Sequence, residues 1–235
     1  MNRLIEVKKD GSTIAIYAYD AKNRRIKKTK DGTVTKYLYY KDSVIQEYEN
    51  NNATVTYVYG NYKDDPIAFI KDNKKYFYIK DRQYSIQSIT DESGNIVENY
   101  TYTAFGKTKI YKGTHTDEYF KLEKSGYNNP YGFTGRRYDS ESGLYYYRNR
   151  YYSPNLGRFM QKDPLGYVDG LNLYAYVQNN PLRYLDPMGT TTTTMTMEEI
   201  AYSEQIRQNQ AEMFNDVTTV ISSVYDGGVD TLHTV

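Results

Sequence analysis

Residues 12–39 read STIAIYAYDAKNRRIKKTKDGTVTKYLY, and the reading of the fold starts from them. Side chains two apart on a strand share a face, so Ile14-Ala15-Ile16-Tyr17-Ala18-Tyr19 sets Tyr17 beside Tyr19. Such tyrosine pairs recur at Tyr37/Tyr39, Tyr57/Tyr59, Tyr76/Tyr78 and Tyr100/Tyr102, at intervals of 20, 20, 19 and 24 residues. The text between them repeats too: Asn2 to Gly11 matches Asn23 to Gly32 at six of ten positions, both ending in Asp-Gly. Each unit therefore reads as strand, Asp-Gly turn, strand, which is a hairpin. One hairpin cannot bury a face alone, so the units must extend a common antiparallel sheet, with the tyrosines stacked into a ladder.

Composition fits this reading. The chain has 235 residues with 30 Tyr, 7 Phe and no Trp. Its mean hydropathy of −0.82 would point to disorder if tyrosine did not bring large apolar area at small rotamer cost. No Cys and two separated His, His115 and His233, leave neither disulfides nor a His- or Cys-based metal centre, so no metal or cofactor is expected. No apolar run is long enough for a membrane span. The formal charge of +1 hides an asymmetry: residues 191–235 hold seven acids and one base, a net of −6, against +7 for the remainder. The lysines of that remainder form no run, so a nucleic-acid partner is not expected.

The run Tyr19-Asp20-Ala21-Lys22-Asn23-Arg24, with Asp31-Gly32 after it, resembles the YD repeat of Rhs proteins, teneurins and the C components of insecticidal toxin complexes. Tyr40 and Gly60 stand where later copies would carry the Asp. Met1 falls inside a unit, which leads us to expect the end of a longer array or a truncated gene. A second stretch resembles the Rhs repeat-associated core. It runs from Tyr131-Gly132-Phe133-Thr134-Gly135-Arg136-Arg137-Tyr138-Asp139 through Arg150-Tyr151-Tyr152-Ser153-Pro154 and Gly157-Arg158-Phe159 to Asp163-Pro164-Leu165-Gly166 and Asp186-Pro187-Met188-Gly189. The resulting expectation is a mainly β protein. Residues 1–126 would be repeats forming part of a β-shell, 127–190 a core that caps it, and 191–235 a variable tail with a helix over about 197–225. In that tail Met213, Phe214, Val217, Val220, Ile221 and Val224 cluster on one helical face. Thr190 to Thr194 read as an extended polar connector.

Taken by itself, Asp-Pro-x-Gly is a turn, with Asp capping and Pro presetting φ. Two such boxes starting 23 residues apart could also bring Asp163 and Asp186 together across a hairpin-like excursion. Two adjacent carboxylates share a proton, so one can activate water while the other protonates the leaving amide. The resemblance implies this chemistry: an autoproteolytic core with Asp163 and Asp186 as acid and base. It also implies a role for Arg150 in fixing a carboxylate or stabilising developing negative charge, although taken by itself Arg150 could equally be an ion-pair partner at the rim of a sheet. The implied cut falls at Thr190–Thr191 or one bond earlier, at Gly189–Thr190. Pro164, Gly166, Pro187, Gly157 and Arg158 belong to the surrounding motif, Arg158 more as an ion-pairing residue at a sheet rim than as a site residue. The family has Leu after each box; Tyr167 and Thr190 stand there in this chain.

The implied function is that of a toxin carrier whose core self-cleaves in one turnover to release a C-terminal passenger. Its partners would be upstream repeats, in the same chain or another, that complete the shell, together with the passenger and an immunity protein. Delivery would be to the outside or the cell surface by a specialised route. A different class of function competes with it, a non-enzymatic adhesion scaffold in which the core is only a cap.

Overall fold

The computed structural model describes residues 3–60, 65–194 and 201. The helix expected over 197–225 lies outside them, apart from the isolated residue 201. Twelve strands form one antiparallel sheet in chain order: β1 (Glu6–Lys9), β2 (Ser12–Tyr19), β3 (Arg25–Lys30), β4 (Thr33–Tyr40), β5 (Ser43–Glu49), β6 (Asn52–Tyr59), β7 (Pro66–Lys71), β8 (Lys74–Lys80), β9 (Ile86–Thr90), β10 (Ile96–Tyr102), β11 (Thr108–Lys112) and β12 (Lys121–Leu122). A second sheet holds β13 (Arg137–Asp139), β14 (Leu144–Tyr147), β15 (Arg150–Ser153) and β16 (Arg158–Phe159); a third pairs β17 (Tyr184–Leu185) with β18 (Thr193–Thr194).

The turn chemistry explains the meander. Lys9 pairs with Ser12 and Lys30 with Thr33 across two-residue loops. Both loop residues have positive φ, +51° and +79° at Asp10-Gly11 and +49° and +77° at Asp31-Gly32. This is the type I′ turn whose twist matches the flanking strands. Asn50-Asn51 and Asp72-Asn73 make the same turn without glycine, since Asn and Asp tolerate the left-handed region. The wider connections are closed by an Asp just past the strand end: Asp20, directly after Tyr19, accepts at Oδ1 from Arg24 N at 2.8 Å, and Asp81, after Lys80, accepts at Oδ1 from Ser85 N at 2.9 Å. The YD aspartate is thus a loop staple.

The tyrosine face is the buried one: Ala15 and Tyr17 are 1% and 3% exposed, whereas Ile16 between them is 47% exposed. A register shift falls immediately before the second tyrosine of the pair in β2, β4 and β6. That tyrosine's hydroxyl then donates to a carbonyl one unit back: Tyr19 to Leu4 O, Tyr39 to Arg25 O and Tyr59 to Val44 O, at 2.7–2.9 Å.

The expected ring-on-ring ladder does not form in the early units. Tyr17, Tyr37 and Tyr57 lie on alternate strands, about 10 Å apart at 4.7–4.9 Å per strand, too far to stack. Guanidinium groups fill the gaps. Arg25 lies 5.0 Å from the Tyr17 ring and 5.6 Å from that of Tyr37. Arg137 lies 5.0 Å from Tyr37 and 5.7 Å from Tyr57. Each is buried and paired, Arg25 with Asp139 and Arg137 with Glu47. These pairs, and Tyr131 edge-on to Tyr57 at 5.1 Å, clamp the second sheet onto the first.

Candidate active site

The second sheet ends its β14–β15 hairpin in a two-residue turn, Arg148-Asn149, and those residues with Arg150 grip the second Asp-Pro box. Three successive carbonyls are held by three successive side chains. Arg148 Nη1 donates to Pro187 O, Asn149 Nδ2 to Met188 O at 3.0 Å, and Arg150 Nε to Gly189 O at 2.6 Å. Gly189 is required here. Its φ is +67°, and a Cβ would stand 2.3 Å from Tyr147 O.

Both boxes close as β-turns, Gly166 N donating to Asp163 O and Gly189 N to Asp186 O. The turns present both carboxylates to one guanidinium: Arg150 Nη2 is 3.0 Å from Asp163 Oδ2 and 3.1 Å from Asp186 Oδ2. Arg150 also donates to Leu173 O at 3.2 Å and lies 3.6 Å over the Phe159 ring. All three charged groups are buried. Asp163 Oδ1 accepts from Leu165 N at 2.8 Å. Asp186 Oδ1 accepts from Thr190 N at 2.9 Å and Thr191 N at 3.1 Å.

Burial pushes the Asp186 carboxyl above its ordinary value, against the lowering effect of those two amides and of Arg150. Burial likewise pulls the Arg150 guanidinium down, against the raising effect of Asp186 and Asp163. The peptide joining Gly189 to Thr190 is therefore bracketed: its oxygen rests on Arg150 and its N–H on Asp186. Beside Asp186 lies a cavity of about 10 Å³, also lined by Tyr84, Thr134 and Arg136, which is about the room one water needs.

A family model described as Teneurin YD-shell matches residues 2–182. The chain belongs to the YD-shell family. The tRNA nuclease WapA of Bacillus subtilis (strain 168) is 38% identical over 189 residues, which are 77% of this chain and 8% of that protein. The toxin protein Tse5 of Pseudomonas aeruginosa is 52% identical over 60 residues, 26% of this chain and 5% of its own. The crystal structure of TcdB2-TccC3-TEV matches with a TM-score of 0.59 at 25% identity, over 79% of this chain and 9% of that one. The YD-shell chain thus spans under a tenth of these relatives, and it shares their toxin-related family.

In this YD-shell chain Asp163, Asp186 and Arg150 meet, and Gly189, Thr190 and Thr191 lie against them. Pro164 is exposed, Pro187 half-buried, and Gly166 sits at φ +72° with open space around it. Gly157 packs on Phe105, where a Cβ would stand 3.1 Å from the ring. Arg158 is exposed, its guanidinium 4.5 Å over the Tyr174 ring, and takes no part in the site.

The threonine connector is extended as expected but pinned: Thr193–Thr194 pair with Tyr184–Leu185, and Asp169 Oδ2 accepts from both N and Oγ1 of Thr192. Asp169, Asn149 and Arg148 were not legible as site residues. The one signal for the latter two is that they precede Arg150 in a turn.

Proposed function

We propose that this chain is part of a toxin carrier whose core cleaves its own backbone once, between Gly189 and Thr190, and frees the segment C-terminal to that bond. The observation that carries this reading is the bracketing of the peptide bond by Arg150 on the carbonyl and Asp186 on the N–H. Of the two bonds that the sequence leaves open, this favours the earlier, because it is the Gly189 oxygen that the guanidinium polarises.

In this mechanism Asp163 takes a proton from water as the water oxygen bonds to the Gly189 carbonyl carbon. The oxygen that gains negative charge stays on Arg150 Nε, a charged donor already in place in a buried site. Asp186, whose carboxyl burial raises toward the neutral form, is the acid that gives a proton to the Thr190 nitrogen. The C–N bond breaks, leaving a Gly189 carboxyl group and a Thr190 amine. The products have no reason to separate at once, since Asp169 and β17 hold the threonines on the far side of the cut.

With this cut the repeats would span 1–126, the core 127–189, and the freed passenger 190–235, one residue earlier than the boundary at 190/191 that the sequence suggests. Upstream repeats, in the same chain or a partner, would complete an enclosing shell, and delivery would be to the outside. The toxin and nuclease relatives support a passenger of toxic function. N-terminal sequencing of the released fragment tests the bond: a fragment starting at Thr190 is expected, and one starting at Thr191 or elsewhere rules this bond out.

A further inference from the structure

Between the face of the first sheet and the second sheet lies a second cavity, of about 100 Å³. Five cationic residues line it, Lys22, Arg24, Arg136, Arg137 and Arg148, with one acid, Asp42. Two acids behind the wall offset part of this charge, Asp20 on Arg24 and Glu47 on Arg137. Arg136 and Arg137 are 4% and 8% exposed, so their charge is poorly hydrated. The Nε of Arg137 is buried and makes no hydrogen bond, although its Nη1 and Nη2 are bound to Tyr131 and Glu47. A buried guanidinium donor without an acceptor costs free energy that an anion would recover. Burial also pulls the Arg148 guanidinium below its ordinary value, and a bound anion would reverse that.

We propose that this cavity is a binding site for a small tetrahedral oxyanion of the class of inorganic phosphate. The volume holds several waters, enough for a tetrahedral ion. Planar guanidinium forks match oxyanion geometry, whereas a metal cation or an apolar ligand would meet the wrong lining. Lys22 is exposed at the edge of the cavity and would draw the ion in. The cavity does not include Asp163 or Asp186, although Arg148, Asn149 and Met188 join its wall to the second Asp-Pro box, and the proposal does not depend on self-cleavage.

Isothermal titration of inorganic phosphate into the full 235-residue chain, at fixed sodium chloride concentration, tests it. One saturable site is expected with a dissociation constant below about 1 mM, near −4 kcal/mol. Lys22→Glu, an exposed change that leaves every buried pair intact, should weaken binding at least about tenfold, the size of one lost charge-assisted contact. Arg148→Gln should weaken it further, with far-ultraviolet circular dichroism as the check on folding. The absence of saturable heat up to about 10 mM, roughly ten times that constant, overturns the proposal, since waters then fill the cavity. Saturable binding that Lys22→Glu leaves unchanged also overturns it, since the ion then sits elsewhere.

Discussion

Arg150 does two jobs with one guanidinium. Nε holds the Gly189 oxygen while Nη2 bridges two buried carboxylates, so its charge sets both the reacting carbonyl and the pair. Asp163→Asn or Asp186→Asn should slow self-cleavage about 10²–10⁴-fold by removing a general base or acid, with intact protein mass followed over time as the readout. Arg150→Met should cost at least about 10²-fold in the same assay, the cost of a lost oxyanion donor. The pH dependence comes from the direction of the Asp186 shift. A carboxyl raised by burial stays protonated to higher pH than an ordinary one, so cleavage that needs its proton should fall as pH rises through that raised value. Stability changes in the same window. The native state there binds more protons than the unfolded chain, so folding free energy declines with rising pH. Asp186→Asn should remove that slope in denaturant titrations at a series of pH values.

At the scale of elements, the hairpin units were legible because turn and strand chemistry are local. Asp-Gly at Asp10-Gly11 and Asp31-Gly32 announces the type I′ turn, and period-two tyrosines announce the face. The arginine insertions between tyrosines were not, because each is set by a distant partner: Arg25 meets Asp139 at a separation of 114 residues and Arg137 meets Glu47 at 90. No local periodicity encodes such a pair. Asp139→Asn leaves Arg25 buried without its carboxylate and should destabilise the chain by about 3–5 kcal/mol in urea unfolding. Replacing both partners, Arg25→Met with Asp139→Leu, should recover most of that loss. The site loops divide the same way. The two boxes were legible as turns, with Gly166 and Gly189 as their closing residues, but the contact of Gly189 with Tyr147 O needs the β14–β15 hairpin folded against it. Gly189→Ala should strain the box by about 1–3 kcal/mol and reduce cleavage, measured as the fraction of chain cut at a fixed time.

The whole molecule joins a sheet of local hairpins to a compact cap through buried long-range pairs. Tyr17 donates to Glu141, Thr134 N to Ser85 Oγ, and Tyr131 packs among Tyr57, Tyr59 and Tyr78. Folding of the cap onto the sheet therefore fixes the β14–β15 hairpin, and the hairpin fixes Arg148, Asn149 and Arg150 on the carbonyls of residues 187–189. Tyrosine supplies the apolar area for both bodies while the charged chemistry sits in one corner of the cap, which is why composition announced the sheet and was silent on the site. The most direct test of self-cleavage is the intact mass of the purified 235-residue chain beside its Asp163→Asn and Asp186→Asn variants, under denaturing conditions that part the fragments. Self-cleavage predicts a wild-type product ending at Gly189, a second fragment starting at Thr190, and both variants full length. Wild type that stays whole even when supplied with upstream repeats, or variants cut at the same bond and rate, would contradict it.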